Sequence, residues 1–284
     1  MAKVSILIPS RNEIFLQKTV SDLISKAEGD IEIVVVLDGY WPTPPLKEDK
    51  RLKIIHRGAP RGMRNGINSG VAIASGEYIM KTDAHCMFDQ GYDKKLMADC
   101  DKDWVVIPRR YSLDAELWQV KDKPPIDYMY LSYPDDPQDF GGAGYHGREW
   151  PQKNRDANLK DVLVDDLMSF QGSCWFMRKD YFRYLELMDE DKWKAFYQEA
   201  QEIGLKCWFS GGRVVINKKT WYAHLHKGKQ YGRGYFLDKK CLTPAVEYTN
   251  KFVTDNDWHK TIHDIRWLVK RFWPVPGWPG EYGR

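Results

Sequence analysis

The sequence predicts an α/β fold with a mainly parallel, doubly wound sheet and helices on both of its faces. Three observations point there: short apolar runs, helical periodicity between them, and polar clusters at the ends of the runs. An apolar run suits a strand buried on both faces, and strands alternating with helices build parallel sheets. Residues 4–9 form the first run. Asn12-Glu13 then opens a helical pattern carried by Leu16, Val20, Leu23 and Ile24. Residues 31–37 read as the second strand, closed by Asp38-Gly39, and residues 53–55 as a third. Residues 62–74 read as a glycine-interrupted helix and Tyr78–Thr82 as the next strand. Ligands of such sheets sit outside the carboxyl ends of the strands. Residues 9–13, Asp38-Gly39 and residues 83–85 all fall there, so three polar clusters share one sheet edge.

The third cluster is Asp83-Ala84-His85. In extended backbone, residues two apart point the same way, so this carboxylate and imidazole can converge on one ion. That oxygen-plus-nitrogen donor set suits a divalent metal such as Mn²⁺. The chain has 284 residues, 43% of them hydrophobic, enough for a full core. A net charge of +3 neither demands nor excludes an anionic partner. Twelve Trp and sixteen Tyr tilt the expectation towards a sugar or nucleobase ligand. The five cysteines (Cys86, Cys100, Cys174, Cys207, Cys241) are scattered and form no Cys-X-X-Cys pair, which argues against a zinc knuckle or a redox dithiol. With no signal-peptide pattern, a reduced cytoplasmic setting is expected. No apolar run approaches the roughly 20 residues that a membrane-spanning helix needs, so a soluble protein is expected.

Residues 4–13 (Val-Ser-Ile-Leu-Ile-Pro-Ser-Arg-Asn-Glu) resemble the opening strand and loop of family-2-type glycosyltransferases. Those enzymes have the GT-A, or nucleotide-diphospho-sugar transferase, fold. Residues 34–39 (Val-Val-Val-Leu-Asp-Gly) are similar to their second strand, whose terminal Asp contacts the uracil of a UDP-sugar. Residues 61–68, followed by Gly76-Glu77-Tyr78, resemble their helix and the approach to an Asp-X-Asp strand. Here Asp83-Ala84-His85-Cys86 departs from Asp-X-Asp and is closer to the Asp-X-His of polypeptide N-acetylgalactosaminyltransferases. Residues 172–182 resemble the sugar-pocket strand of the same enzymes. Residues 199–202 (Glu-Ala-Gln-Glu) and 206–212 resemble their Glu-Asn-X-Glu helix and the Trp-X-X-Gly-Gly turn after it. Trp221-Tyr222-Ala223-His224 falls where those enzymes place a third metal ligand. The motifs keep their order over residues 3–235.

The resemblance implies a metal–diphosphate site. Asp83, His85 and His224 would hold Mn²⁺ or Mg²⁺, with His224 preferred to His226 by its place in the family turn. Such an ion neutralises charge on a departing diphosphate. Arg61, or Arg64, would add to the clamp through its fork of donors. Asp38 would accept a hydrogen bond from the nucleobase, with Arg11 near the same ring. Pro9, Glu13, Asn65, Trp208 and Gly211 complete the expected donor-binding set. Asp83 and Glu199 are the candidate catalytic residues. In inverting relatives a carboxylate near this helix start deprotonates the acceptor hydroxyl; in the retaining N-acetylgalactosaminyltransferases the matching Glu holds sugar hydroxyls. Asp165-Asp166 is a further acidic candidate. Residues 196–200 (Phe-Tyr-Gln-Glu-Ala) replace the relatives' Trp-Gly-Gly-Glu-Asn, a departure that bears on which sugar is carried. Retention is the outcome expected from the Asp-X-His likeness.

Two regions escape the family pattern. Residues 109–160, rich in Pro, Gly and aromatics, predict a long irregular insertion over the acceptor side of the cleft. Residues 226–235, rich in glycine and basic groups, predict a mobile lid that orders over the diphosphate. In the tail, Trp258, Ile262, Ile265, Val269 and Phe272 follow helical spacing beside Lys260, Arg266, Lys270 and Arg271. Pro274 stops that helix and opens a rigid extended segment. The tail is expected to pack on its own domain, with a membrane surface or nucleic acid as the alternatives.

The expected organisation is therefore a GT-A domain over residues 1–235 and a helical, Trp/Pro-rich extension over residues 236–284. The expected activity is metal-dependent transfer of a sugar from a UDP-sugar to a hydroxyl of a glycan, a protein or a modified nucleic acid. Alternatives are a DNA-modifying glycosyltransferase acting on hydroxymethylated bases, a nucleotidyltransferase, and a non-catalytic nucleotide-sugar-binding module. Without the membrane anchor and carbohydrate-binding module of animal N-acetylgalactosaminyltransferases, a microbial or viral enzyme fits better than a secretory one.

Overall fold

In the computed structural model, which describes residues 3–284, the chain opens with β1 (Val4–Ser10), α1 (Leu16–Lys26), β2 (Ile31–Asp38), β3 (Leu52–Arg57), α2 (Met63–Ile73) and β4 (Tyr78–Thr82). Next come β5 (Cys86–Phe88), α3 (Tyr92–Ala98), β6 (Trp104–Asp114), β7 (Gln119–Val120), β8 (Met129–Leu131), β9 (Gly147–Glu149) and α4 (Pro151–Asn154). The remainder holds β10 (Val164–Asp166), β11 (Cys174–Arg178), α5 (Lys179–Tyr184), α6 (Glu190–Trp193), α7 (Glu199–Phe209) and β12 (Arg213–His224). It ends with α8 (Gly228–Tyr231), α9 (Thr243–Asp255) and α10 (Ile265–Phe272).

The central sheet runs β10-β12-β6-β11-β4-β1-β2-β3. Strands β4, β1, β2 and β3 are parallel, as the alternating pattern predicts. Successive side chains of a strand leave opposite faces. Ile6 and Ile8 accordingly join α1's Leu16, Val20 and Leu23 in one apolar layer. Leu7 joins α2's Ile67 and Val71 in the other. The glycines that interrupt α2 let it lie close to β1. A Cβ at Gly70 would sit 3.0 Å from Leu7 Cδ2, and one at Gly66 3.1 Å from Pro9.

Beyond β4 the sheet is mixed, which refines the mainly parallel expectation. Strand β11 enters beside the carboxyl end of β4, with Cys174 opposite Thr82, and so must run back antiparallel. It is also antiparallel to β6, while β6 and β12 are parallel to each other. This second half carries β12 past β5, pairing His224 with Cys86.

The insertion is largely irregular, with β8 and β9 forming a two-stranded ladder. It is pinned by the Arg109–Asp127 pair at 2.7 Å and by Trp278 Nε1, which donates to the Leu131 carbonyl at 2.6 Å. Asp165 accepts from the Tyr128 hydroxyl, and Asp166 pairs with Arg213 and Arg271. Those two carboxylates serve the fold at a sheet edge and stand outside the cleft described below.

The tail differs from its expected form. Helix α10 starts at Ile265 rather than near Trp258, because the Asp264 carboxylate caps it by accepting from Trp267 N at 2.8 Å. Ahead of that cap the chain is held by Phe209 O, which accepts from the backbone of Ile262 and His263. Helix α9 falls within the extension expected to be helical, ahead of the one helix whose spacing the sequence marks. Both tail helices pack on α7: Phe272 lies edge-on to Trp208 and Phe252 stacks on Phe209. Among the described residues, no helix is long and apolar enough to cross a membrane.

Candidate functional site

Strand β4 ends at Thr82, and the turn after it turns Asp83 and His85 to one side. Strand β12 brings His224 to meet them. Donor atoms of Asp83, His85 and His224 all lie within 4.8 Å of one another. His224 Nε2 stands 3.3 Å from Asp83 Oδ2 and 3.1 Å from His85 Nε2. Glu13 Oε2 lies 2.9 Å from His85 Nδ1, the partner that would fix this ring with Nε2 turned inward. Burial pushes the His224 imidazole down to about 3, against the pull of Asp83, so the ring is neutral. Burial works to raise Asp83, but Lys81 and His224 prevail and hold its carboxyl well below the usual range. Two imidazole rings with Nε2 turned inward and one ionised carboxylate are a donor set that fits Mn²⁺ or Mg²⁺. His224 Nδ1 is buried without a hydrogen-bond partner.

Beneath Asp83 lies a group that motif reading missed. Lys81, 1% exposed, donates to Asp83 Oδ1 at 2.8 Å, to the Gly172 carbonyl at 2.7 Å and to Glu199 Oε2 at 3.1 Å. Trp175 Nε1 donates to Glu199 Oε1 at 2.7 Å. Burial raises the Glu199 carboxyl despite Lys81 beside it. The signal was present in the sequence: a lysine inside an otherwise apolar strand must find counter-charges.

These groups border a cleft of about 710 Å³, a size usual for small-molecule sites. Of the residues expected to bind donor, Pro9, Arg11, Glu13, Asp38 and Arg61 line it together with Asp83, His85 and His224. Asp38 is largely committed. Its Oδ1 accepts from Arg57 and Arg61 N, and its Oδ2 from Gly62 N at 2.9 Å, which leaves it little capacity for a nucleobase. The 226–235 loop also lines the cleft and is tied to the β1 loop. Lys227 pairs with Glu13, Asn12 Nδ2 donates to Gly234 O at 2.6 Å, and the Arg11 guanidinium lies 4.5 Å over the Tyr235 ring.

Four expected residues stand elsewhere. Asn65 turns its amide to Glu190, at 2.9 Å. Trp208 is a core residue, 1% exposed, whose indole donates to Leu167 O. Gly211 supplies the φ of +82° in the turn after α7, where a Cβ would meet Ile262 at 2.6 Å. Arg64, the alternative to Arg61, is fully buried and paired with Glu202. Each satisfies a packing or backbone requirement at its own position. Glu199 occupies an intermediate place, under the cleft floor and joined to Asp83 through Lys81.

Comparison with known proteins gives a consistent family. Residues 5–185 match the model of glycosyl transferase family 2. Over 266 residues the chain is 24% identical to putative polypeptide N-acetylgalactosaminyltransferase 13 of Drosophila melanogaster, covering 87% of this chain and 46% of that protein. Over 210 residues it is 23% identical to polypeptide N-acetylgalactosaminyltransferase 3 of Taeniopygia guttata, covering 73% and 32%. The chain thus spans less than half the length of these two relatives. Among solved structures, GalNAc-T7 with UDP, GalNAc and Mn²⁺ superposes with a TM-score of 0.70 at 18% identity, over 98% of this chain and 52% of that one. S. aureus TarS 1-349 in complex with UDP-GlcNAc superposes with a TM-score of 0.58 at 13% identity, over 95% and 71%.

Proposed function

The chain belongs to glycosyl transferase family 2, and from that premise we propose that it transfers a sugar from a UDP-sugar to a hydroxyl acceptor in a metal-dependent reaction. The observation that carries this is the meeting of Asp83, His85 and His224 in a cleft that also presents Arg11 and Arg61. A Mn²⁺ or Mg²⁺ ion held by those three side chains would neutralise charge on the departing diphosphate. Arg11 and Arg61 supply fixed positive charge beside the same groups. Glu13 orients His85, and Lys81 directs one oxygen of Asp83 away so that the other faces the histidines.

The acid–base inventory favours retention. An inverting transfer needs a carboxylate free to take the acceptor's proton. Among the described residues lining the cleft, the carboxylates are Glu13, Asp38 and Asp83, and each is engaged by cations or backbone N–H groups. Glu199 is clamped between Lys81 and Trp175 below the floor, a place suited to shaping the sugar pocket.

The test is release of UDP from a panel of UDP-sugars, with Mn²⁺ or with EDTA. Metal-dependent release from one donor is expected, and Asp83→Ala should lower it by about a hundredfold or more. Undiminished turnover in Asp83→Ala would sink the metal assignment. Pyrophosphate in place of UDP would indicate nucleotidyl transfer, and tight binding with no turnover a binding module.

A further inference from the structure

Arg110 is a buried cation with no carboxylate paired to it among the described residues. It sits on β6, 7% exposed, and its guanidinium donates to His226 Nε2 at 3.1 Å and approaches the Met129 sulfur at 3.8 Å. Its neighbour Arg109, by contrast, is matched with Asp127. An ion taken out of water without a counter-charge costs several kcal/mol, so such a group beside a cleft is poised for a charge that arrives with a ligand.

His226 extends the same feature into the cleft, which it lines. A guanidinium can only donate, so His226 Nε2 is the acceptor and the ring proton sits on Nδ1. That leaves the Nδ1 proton of a cleft-lining ring for a bound group. Lys121 follows β7 and is exposed; its backbone N–H donates to Ser112 O at 2.8 Å, which places it at the same end of β6. Two nearby carboxylates are already engaged. Glu13 serves His85 and Lys227, and Asp114 accepts from the backbone of Glu116 and Leu117.

Position in the sheet says what this group faces. Strands β6 and β12 lie on the far side of β4 from β1 and β2, whose ends carry Arg11 and Asp38. A nucleotide over β1 and β2 leaves the β6–β12 end to the acceptor. The His226 and His224 rings are 4.9 Å apart, so a charge held there lies close to the reacting centre. We infer that Arg110, His226 and Lys121 form a phosphate-binding subsite on the acceptor side, and that the acceptor is a hydroxyl compound carrying a phosphate group. Donors from three separate segments suit a tetrahedral oxyanion better than a planar carboxylate, and guanidinium groups match phosphate oxygens well.

This inference rests on the UDP-sugar assignment, and its test separates the two. The full chain is loaded with saturating UDP and Mn²⁺, then titrated calorimetrically with inorganic phosphate and, in parallel, with acetate. Phosphate should bind to the loaded protein, with acetate weaker by about tenfold or more. Arg110→Gln and Lys121→Ala should each weaken phosphate binding by about tenfold. Lys121 is exposed, so its variant folds even where the Arg110 one does not. No phosphate binding to the UDP-loaded chain, equal binding of acetate, or binding unchanged in the variants overturns the subsite alone. A chain that does not bind UDP overturns the donor assignment and the subsite with it.

Discussion

Lys81 shows at the residue scale how the candidate site is held. Its ammonium lies between Asp83 Oδ1 and Glu199 Oε2 and is 1% exposed, so a cation cut off from water depends on these two carboxyl groups. Removing one partner of a buried ionic group costs roughly 3–5 kcal/mol, because the others are left uncompensated. Lys81→Met should therefore lower the unfolding free energy by about that much, read from urea denaturation. The pairing makes a sharper expectation. With Glu199→Gln already present, one of the two carboxylates is gone and Lys81→Met should cost at least about 1 kcal/mol less. Additive costs would show that Lys81 and Glu199 do not act together. Periodicity could not reveal this triad, since the three members come from β4, the turn after it and α7. Only the oddity of a charge within Ile79-Met80-Lys81-Thr82 was visible in the sequence.

Elements were legible where local pattern and tertiary role coincide. Strands β1, β2 and β4 are buried on both faces, so apolar runs marked them to within a residue. The polar ends of the same strands marked the cleft, and Asp83, His85 and His224 meet there. Misplaced expectations came from motifs whose side chains turn inward. Trp208 and Asn65 lie on helices beside the site, and sequence order does not show which face they present. In the tail, Trp258 and Ile262 fit a helical period by coincidence, and Asp264 overrides it as a cap. Glu32 on β2 shows what one element contributes to its neighbours. Its carboxylate accepts from Ser5 Oγ on β1, from Ser75 N ahead of β4 and from Lys53 Nζ on β3, each at 2.6 Å. Burial opposes ionisation, but Lys53, Ser5 and Ser75 outweigh it and bring Glu32 from 4.5 to about 2. A carboxyl depressed in the folded state stabilises above its unfolded pKa and loses that contribution as pH falls through its folded one. The stability gap between the native chain and Glu32→Gln should thus be full above about pH 4.5 and shrink towards pH 2. A gap that stays constant over that window would show that Glu32 is not ionised by these contacts.

At the scale of the whole molecule, the tail is built into the core. Phe252, Trp258, Leu268, Phe272 and Trp278 share one apolar cluster with Leu7 and Val34 of the central sheet and with Trp208 and Phe209 of α7. The insertion is drawn into the same contacts, with Tyr133 and Tyr145 packed on Trp278. Burial of each large apolar side chain contributes about 1.5–3 kcal/mol, so losing five of them removes roughly 7–15 kcal/mol. That is comparable to the entire margin of a folded domain, about 5–15 kcal/mol. Chain ending at residue 235 should therefore fail to fold cooperatively, although every family motif lies within it. The effect should reach the site as well, because α7 carries Glu199 at one end and Trp208 and Phe209 at the other. Far- and near-ultraviolet circular dichroism of residues 1–235 beside the full chain decides the matter. Lost near-ultraviolet signal and dye binding to exposed apolar surface are expected. A truncated chain with a sharp, unshifted melting transition would show instead that the tail is a separable extension on a self-sufficient catalytic fold.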